Sequence, residues 1–220
     1  MLRGLDLKRV IERPRLARRS FRPVVYPLAP LHVQRAEETL VNAFMGDPVT
    51  EHLFPVEPAR RDGLRRVLRV GLRHGLCYGE VDNVDEGDGV AIWLQSEHSK
   101  LSLAGALRTG MLIAAWELGV PSTLRVLAFL RYLEKQRLRA HPGLHWYLLD
   151  LAVCPERQSR GLGTSLLKHG LMRADAQQLP CYLETSNEPN VDFYMKHGFR
   201  VIGCNPSPGA GPSVWNMVRH

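Results

Sequence analysis

Residues 151–164 read LAVCPERQSRGLGT and carry more information about the architecture than any other segment of the 220-residue chain. They run from an apolar strand through a tight loop into a helix, and Gly161 and Gly163 leave the start of that helix without side chains. Backbone N–H groups in the first turn of a helix lack intrahelical partners, and the helix dipole adds partial positive charge. The segment therefore predicts a phosphate or pyrophosphate site, to which Arg157 and Arg160 can add charge.

Two common phosphate-binding loops do not fit this segment. A Walker loop requires Gly-Lys-Ser/Thr, whereas Gly163 is followed by Thr164 and Ser165. A dinucleotide fingerprint needs three glycines and an acid about twenty residues further on, and the third glycine is missing here. A pair of glycines alone is also compatible with a loop that makes a turn and binds no phosphate.

Strands and helices alternate around this loop. The apolar run Trp146–Val153 predicts a strand before it, the loop leads into a helix at 161–178, and Cys181–Thr185 predicts the next strand. This alternation indicates an α/β sheet with a crossover helix. We also expect strands at 22–26, 77–81, 90–94, 199–203 and 213–218, and helices at 31–44, 60–76, 101–118, 124–139 and 189–197.

The net charge of +7 is concentrated at the N-terminus. Residues 1–22 hold eight Lys and Arg against two acids, and the remainder is nearly neutral. A basic tail can contact nucleic acid or an anionic membrane, but we expect a solvated arm at 1–20 and no nucleic-acid or membrane partner. The remaining chain, 21–220, is long enough to bury one core, so we predict a single folded domain.

The spacing of the cysteine and histidine residues argues against a redox-active cysteine pair and against a metal site. The four cysteines form no Cys-x-x-Cys pair, which is typical of a cytoplasmic protein with buried thiols. His141 and His145 are four residues apart, but Pro142 and Gly143 break the helix that would align them, so we expect no metal ion. No run of eighteen apolar residues occurs.

Two motifs in the second half of the chain resemble those of a known family. Residues 158–163 (Gln-Ser-Arg-Gly-Leu-Gly) match the Gln/Arg-x-x-Gly-x-Gly/Ala signature of the Gcn5-related N-acetyltransferases. Asn187, seven residues before Tyr194 and followed by Gly198-Phe199, resembles that family's second motif. The resemblance spans about residues 21–220 and implies a mixed central sheet with splayed central strands and helices on both faces. It also implies a helical insert, residues 99–141, before the acetyl-CoA-binding strand and over the acceptor side.

Within this family the chain looks most like the puromycin N-acetyltransferase branch, which would imply an antibiotic-modifying role. The shared features are the long insert and four short segments at 146–148, 183–186, 193–194 and 215–217. The chain departs from that branch at Asp47, where the branch has Tyr before the following proline. The resemblance therefore does not fix the same acceptor.

The resemblance implies acetyl-CoA as co-substrate, with a backbone N–H near Val153 stabilising the oxyanion that acyl transfer generates. Asn187 would either orient the pantetheine arm or cap the short helix. The residues expected at acetyl-CoA are Ala152, Val153, Arg157, Gln158, Ser159, Arg160, Gly161, Leu162, Gly163, Thr164 and Asn187.

Three residues are candidates for proton transfer. Tyr194 matches the family's general-acid tyrosine, with a buried core tyrosine as the alternative. An amine must lose a proton before it attacks, and Asp150 and Glu184 are the candidate bases, with hydrogen-bonded buried acids as the alternative. Glu184 could also anchor a cationic substrate. The candidate acceptor-binding residues are Trp146, Trp116 and Tyr132.

We therefore expect an N-acetyltransferase acting on a primary amine of a small molecule. A protein lysine or N-terminus is an alternative acceptor, although the helical insert would obstruct an open groove. A non-catalytic acyl-CoA-binding regulator with a nucleic-acid-binding tail is a third hypothesis. The sequence leaves a homodimer open.

Overall fold

The computed structural model of the chain describes residues 23–98, 103–140 and 143–220, so the basic segment 1–20 lies outside the described residues. Seven strands form one mixed sheet in the order β1-β2-β3-β4-β5-β7-β6. The strands are β1 (Val25–Pro27), β2 (Gly79–Val84), β3 (Gly89–Gln95), β4 (Trp146–Val153), β5 (Cys181–Thr185), β6 (Arg200–Pro206) and β7 (Ser213–Arg219).

The described residues contain seven α-helices. They are α1 (Val33–Phe44), α2 (Pro48–Leu53), α3 (Glu57–Tyr78), α4 (Leu103–Thr109), α5 (Met111–Ala140), α6 (Leu162–Ala176) and α7 (Glu188–Met195). The sheet is antiparallel except between β4 and β5, which are parallel and joined through α6. The mixed α/β architecture with helices on both faces confirms the predicted fold class.

The centre of the sheet opens between β4 and β5. These strands pair only through Trp146 with Cys181 and Tyr147 with Tyr182, although β4 continues to Val153. A bulge in β4 follows directly, because Ile92 of β3 lies opposite Asp150 while Trp93 lies opposite Leu148. A bulge bends its strand and increases the local twist, so it turns the second half of β4 away from β5.

Two hydrophobic clusters cover the two faces of the sheet. On one face α6 packs on β3 and β4, and its approach is so close that a Cβ at Gly170 would lie 2.2 Å from the Trp93 ring. On the other face α1 and α3 pack on β2, β3 and Ala152 of β4. An ion pair ties α6 to β2, since Arg173 Nη2 lies 3.1 Å from both carboxylate oxygens of the buried Asp82.

The observed elements near the N-terminal half of the sheet differ from the predicted ones in three places. Helix α3 continues to Tyr78, whose ring lies 5.0 Å from that of His74 one turn earlier, so the strand expected at 77–81 begins only at Gly79. Helix α2 was not predicted; Asp47 caps its first turn by accepting a hydrogen bond from Val49 N–H at 2.8 Å. The strand expected at 22–26 is observed at Val25–Pro27.

The insert forms α4 and α5. Among the described helices, α5 alone has the length and apolar composition of a membrane span, but Gly119, with φ 71° and ψ 164°, interrupts it. The stretch after this break contains Arg125, Arg131 and Arg137. The helix predicted at 124–139 therefore forms as the part of α5 after Gly119. The helix predicted at 101–118 is divided at Gly110, with φ 76°, into α4 and the first part of α5.

Candidate active site

The loop after β4 forms the first wall of the site. Ser159 and Gly161 both have positive φ, 59° and 83°, directly before α6 begins at Leu162. Such left-handed residues turn successive N–H groups towards one side and make a concavity that suits an anion. A Cβ at Gly161 would meet no atom within 4 Å, so the space in front of the helix is open.

Several loop side chains bind within the protein rather than pointing into this space. Arg157 forms ion pairs with Asp85 at 3.4 Å and Asp88 at 3.1 Å, in the turn between β2 and β3. The Gln158 amide donates to the Val153 carbonyl at 3.1 Å. Arg160 is exposed. The residues at the anion pocket thus contribute mainly backbone N–H groups, with Arg157 and Gln158 bracing the loop.

The edge of β4 supplies further backbone groups. Cys154 N–H donates to Asp88 O at 2.8 Å, on the β3 side. Because the backbone groups of successive strand residues alternate in direction, those of Val153 point the other way, into the gap towards β5. Its carbonyl is already bonded to Gln158, and its N–H remains directed at the gap. Ala152, in contrast, pairs with Val90 and packs into the core.

The remaining loop residues complete the helix start. Leu162 is buried in the core beneath the loop, and Thr164 is half-buried in the first turn of α6. Gly163 permits a close approach, since a Cβ there would lie 3.6 Å from Val153 Cγ2 and 3.9 Å from the Phe193 ring. Helix α6 therefore begins directly against the end of β4.

Three ionisable side chains surround the gap. Burial raises the pKa of Asp150 to about 7, and the negative charge of Asp47 adds to this rise. Burial likewise raises the pKa of Glu184 to about 7, although the hydroxyls of Tyr147 and Tyr182 and the Arg137 guanidinium oppose it. Both residues are half-buried, and Oε1 of Glu184 is shielded from solvent. With a pKa of about 7, each carboxyl group can change its protonation state near neutral pH.

Tyr194 lies on the other side of the gap, in α7. It is buried against the rings of Phe193 and Phe199, with centroid separations of 5.2 and 5.8 Å. Burial raises the pKa of its hydroxyl, and the negative charge of the nearby Asp150 raises it further. The hydroxyl is therefore protonated at neutral pH and can act as a proton donor.

Asn187 occupies the N-cap position of α7, but its side chain makes no capping hydrogen bond. Its backbone N–H donates to Thr185 Oγ1 at 3.3 Å. The capping role considered for this residue is therefore not realised, and its half-buried side chain lies beside the end of β5.

Two of the expected acceptor-binding residues are wrong. Trp146 lies at the closed end of the β4/β5 pair, where it is buried and donates to Gln177 Oε1 at 2.9 Å. Trp116 is 88% exposed on the outer side of α5, so it lines no pocket. Tyr132 donates to Asn205 O at 3.0 Å, and its pKa is raised by burial and, to a smaller extent, by the charge of Glu184.

Sequence reasoning missed part of the acceptor side. Asp47 reaches across to the end of β5, where its Oδ1 accepts a hydrogen bond from Ser186 Oγ at 2.9 Å. Arg137, buried in α5, lies over the Tyr147 ring at 5.4 Å. The available signal for Asp47 was its position before Pro48, since Asp at the N-cap and Pro at the first position mark a helix start.

The residues fit an extended anionic acyl carrier such as acetyl-CoA. The concavity at Ser159 and Gly161 offers N–H donors to a pyrophosphate, and the open β4 edge offers backbone groups to amides. Within residues 23–98, 103–140 and 143–220, no group of three or more His, Cys, Asp or Glu side chains is placed to hold a metal ion.

Comparison with known proteins gives consistent matches. The model of the Acetyltransferase (GNAT) family matches residues 83–199. An uncharacterized N-acetyltransferase of Schizosaccharomyces pombe is 24% identical over 172 residues, which cover 76% of this chain and 70% of that protein.

Two solved structures are similar in fold. A histone acetyltransferase HPA2 and related acetyltransferase from Corynebacterium glutamicum has a TM-score of 0.65 and 24% identity, covering 90% of this chain and 95% of that one. An agmatine N-acetyltransferase has a TM-score of 0.62 and 16% identity, covering 90% of this chain and 99% of that one.

Proposed function

Because the chain belongs to the Acetyltransferase (GNAT) family, whose model matches more than half of it, it is an acetyltransferase, and we propose that it acetylates a primary amine of a small molecule. The observation that carries this proposal is the gap between β4 and β5. An anion-binding loop lies at one end of the gap, and Asp150, Glu184 and Tyr194 surround the other. The name of the agmatine N-acetyltransferase, a structural relative, supports an amine acceptor.

In the proposed reaction Asp150 is the general base. An alkyl amine has a pKa near 10 and is mostly protonated at pH 7, so it must lose a proton before it attacks. Asp150 accepts that proton and passes it to solvent. The neutral amine then attacks, the Val153 N–H stabilises the oxyanion, and Asp150 accepts a second proton from the nitrogen as the tetrahedral intermediate collapses. Glu184 is the alternative base.

Tyr194 completes the transfer. When the C–S bond breaks, the departing thiolate needs a proton, and the Tyr194 hydroxyl supplies it. Solvent then returns a proton to Tyr194 and takes the second one from Asp150, so that the ammonium and acetyl-CoA yield the amide, free CoA and one proton. Holding the amine and the thioester together in the gap provides a large part of the rate enhancement.

The helical insert favours a small acceptor over a protein one. Helix α5 packs on α3 and approaches α2 and β7, which covers the side of the gap that carries Glu184. The resemblance to the puromycin N-acetyltransferase branch extends this proposal to antibiotic-like aminonucleosides. The few, scattered cysteines fit a cytoplasmic enzyme.

The test is release of free CoA thiol from acetyl-CoA with a panel of amines. The panel contains alkyl amines, diamines, aryl amines, puromycin and a lysine-rich peptide. We expect turnover on a small amine and a product heavier by one acetyl group, detected by mass spectrometry. Turnover on the peptide alone would transfer the function to protein acetylation, and acetyl-CoA binding without any turnover would indicate a non-catalytic acyl-CoA-binding protein.

A further inference from the structure

Asp47 is held in one orientation by two separate segments. Its Oδ1 accepts hydrogen bonds from Val49 N–H at 2.8 Å and from Ser186 Oγ at 2.9 Å. The first bond fixes the carboxylate to the start of α2, and the second fixes it to the end of β5. Residues 47 and 186 are 139 positions apart in the chain, so this bond joins two walls of the site.

The neighbour of Asp47 inside the site is Asp150. The charge of Asp47 is felt at Asp150, whose Oδ2 lies against α3 at a distance of 3.5 Å from the Cβ position of Gly71. Among the residues that the structure describes, no Lys, Arg or His nitrogen lies within 4.0 Å of either carboxylate. Ion pairs elsewhere in the molecule neutralise their acids directly, as Arg173 does for Asp82.

Burying a carboxylate without a cation beside it costs free energy, and a positively charged ligand can offset that cost. Asp47 is half-buried, and burial raises its pKa in spite of its hydrogen bonds. A positively charged group beside Asp47 would compensate its carboxylate and would offset the effect of its charge on Asp150. The acceptor amine of the proposed reaction carries such a charge when it is an alkyl ammonium.

We propose that Asp47 is a specificity-determining residue of the acceptor site, where its carboxylate, positioned by Ser186 and the start of α2, binds the ammonium group of an alkyl amine. This inference rests on the proposed function. The ammonium binds to Asp47 in its charged form, transfers one proton to Asp150, and attacks as the neutral amine. The site therefore selects amines that are cationic at neutral pH over aryl amines, which are neutral.

The experiment compares benzylamine with aniline as acceptors at pH 7.5, in the wild-type protein and in Asp47→Asn. Both acceptors have one benzene ring and one amino group, but only benzylamine is protonated at this pH. Asn caps helices as well as Asp does, so α2 is retained and the variant should fold. Asp62→Asn, an exposed carboxylate on α3, is the matched control.

The wild type should prefer benzylamine, and Asp47→Asn should lower kcat/KM for benzylamine by about tenfold or more, mainly through KM, because a charge-assisted hydrogen bond is lost. The kcat/KM for aniline should change by less than about twofold, which is no more than the effect expected of a neutral surface substitution. Ser186→Ala should have a smaller effect of the same kind, and Asp62→Asn should have none.

Equal losses for both acceptors in Asp47→Asn would assign this residue a purely structural role and overturn the inference. Wild-type turnover on aniline but not on benzylamine would overturn it too, while leaving the proposed N-acetyltransferase function intact. If the wild type releases no CoA thiol with any amine of the full panel, the proposed function fails, and the inference falls with it.

Discussion

In the proposed reaction, the two ends of the gap between β4 and β5 offer different groups to a charged ligand. At the loop end the donors are backbone N–H groups around Ser159 and Gly161, and Arg157 is neutralised by Asp85 and Asp88. At the acceptor end the groups are side-chain carboxylates from the residue before α2, from β4 and from β5. A backbone site depends on local conformation, whereas a side-chain site can change with single substitutions. The loop end is therefore suited to a constant ligand and the acceptor end to a variable one.

The largest effect is expected at the loop end. Gly161→Asp places a carboxylate in the open space before α6, where it would repel a pyrophosphate. Gly161→Asn is the matched control, because Asn has nearly the same shape, carries no charge and tolerates positive φ. Calorimetry should show that Gly161→Asp weakens acetyl-CoA binding about 100-fold or more, since repulsion replaces attraction at close range.

Gly161→Asn should retain most of the affinity, because it changes bulk but not charge. If the two variants bind acetyl-CoA equally well, charge at this position is irrelevant, and the pyrophosphate lies elsewhere.

The second-largest effect is expected at the acceptor end, where Asp150 is the proposed base. A base with a pKa of about 7 is active only when deprotonated, so kcat/KM for an alkyl amine should fall as pH drops below about 7. Asp150→Asn should lower kcat by about 100-fold or more and remove this acidic limb, because no base remains to titrate. Steady-state rates between pH 5.5 and 9 measure both quantities.

Glu184→Gln is the comparison variant. It should lower activity less and keep the limb near pH 7. If instead Glu184→Gln abolishes the limb and Asp150→Asn keeps it, the two carboxylates exchange roles.

A smaller effect is expected between the two ends, at Tyr194. Tyr194→Phe keeps the ring packed against Phe193 and Phe199 and removes only the hydroxyl. We expect kcat to fall about tenfold to 100-fold, because the leaving thiolate loses its proton donor, while the Kd for acetyl-CoA stays the same. Tyr26→Phe, at an exposed tyrosine of β1, is the control. Unchanged turnover in Tyr194→Phe would make this residue part of the packing alone.

The smallest effect concerns the basic segment 1–20, which we assign to neither end of the gap. Its removal should change kcat/KM on a small amine by less than about twofold, because the sequence predicts an arm that makes no contact with the site. Steady-state kinetics of the truncated chain, with circular dichroism to verify folding, measures this. A loss of tenfold or more would place the segment over the active site.

The two ends also differ in how well the sequence predicts them. The loop could be predicted because strand, glycines and helix start lie within fourteen consecutive residues, 151–164. The acceptor end brings together Asp47, Asp150 and Ser186 from three distant segments, and no local pattern joins them. Asp47 also looks like an ordinary helix cap, and its second bond, to Ser186, becomes visible only in the folded structure.

The errors at Trp116 and Trp146 have a physical origin. Residues 111–120 are apolar nearly all round, so periodicity does not indicate which face packs inward. The structure turns Ala114 and Leu118 towards the protein and leaves Ile113 and Trp116 exposed. Similarly, β4 is apolar at both ends, and only its pairing with β5 shows that Trp146 lies at the closed one.

The opening between β4 and β5 gives this sheet two edges in its interior, in addition to β1 and β6 at its perimeter. The edge of a sheet presents unpaired backbone groups, and at the perimeter these can recruit strands of neighbouring chains and promote aggregation. In this protein the inner edges are flanked by α6 on one face of the sheet and by α1 and α3 on the other. A slender, extended small molecule can reach them, whereas the strand of another folded chain cannot, so the protein keeps hydrogen-bonding capacity without the associated risk of aggregation.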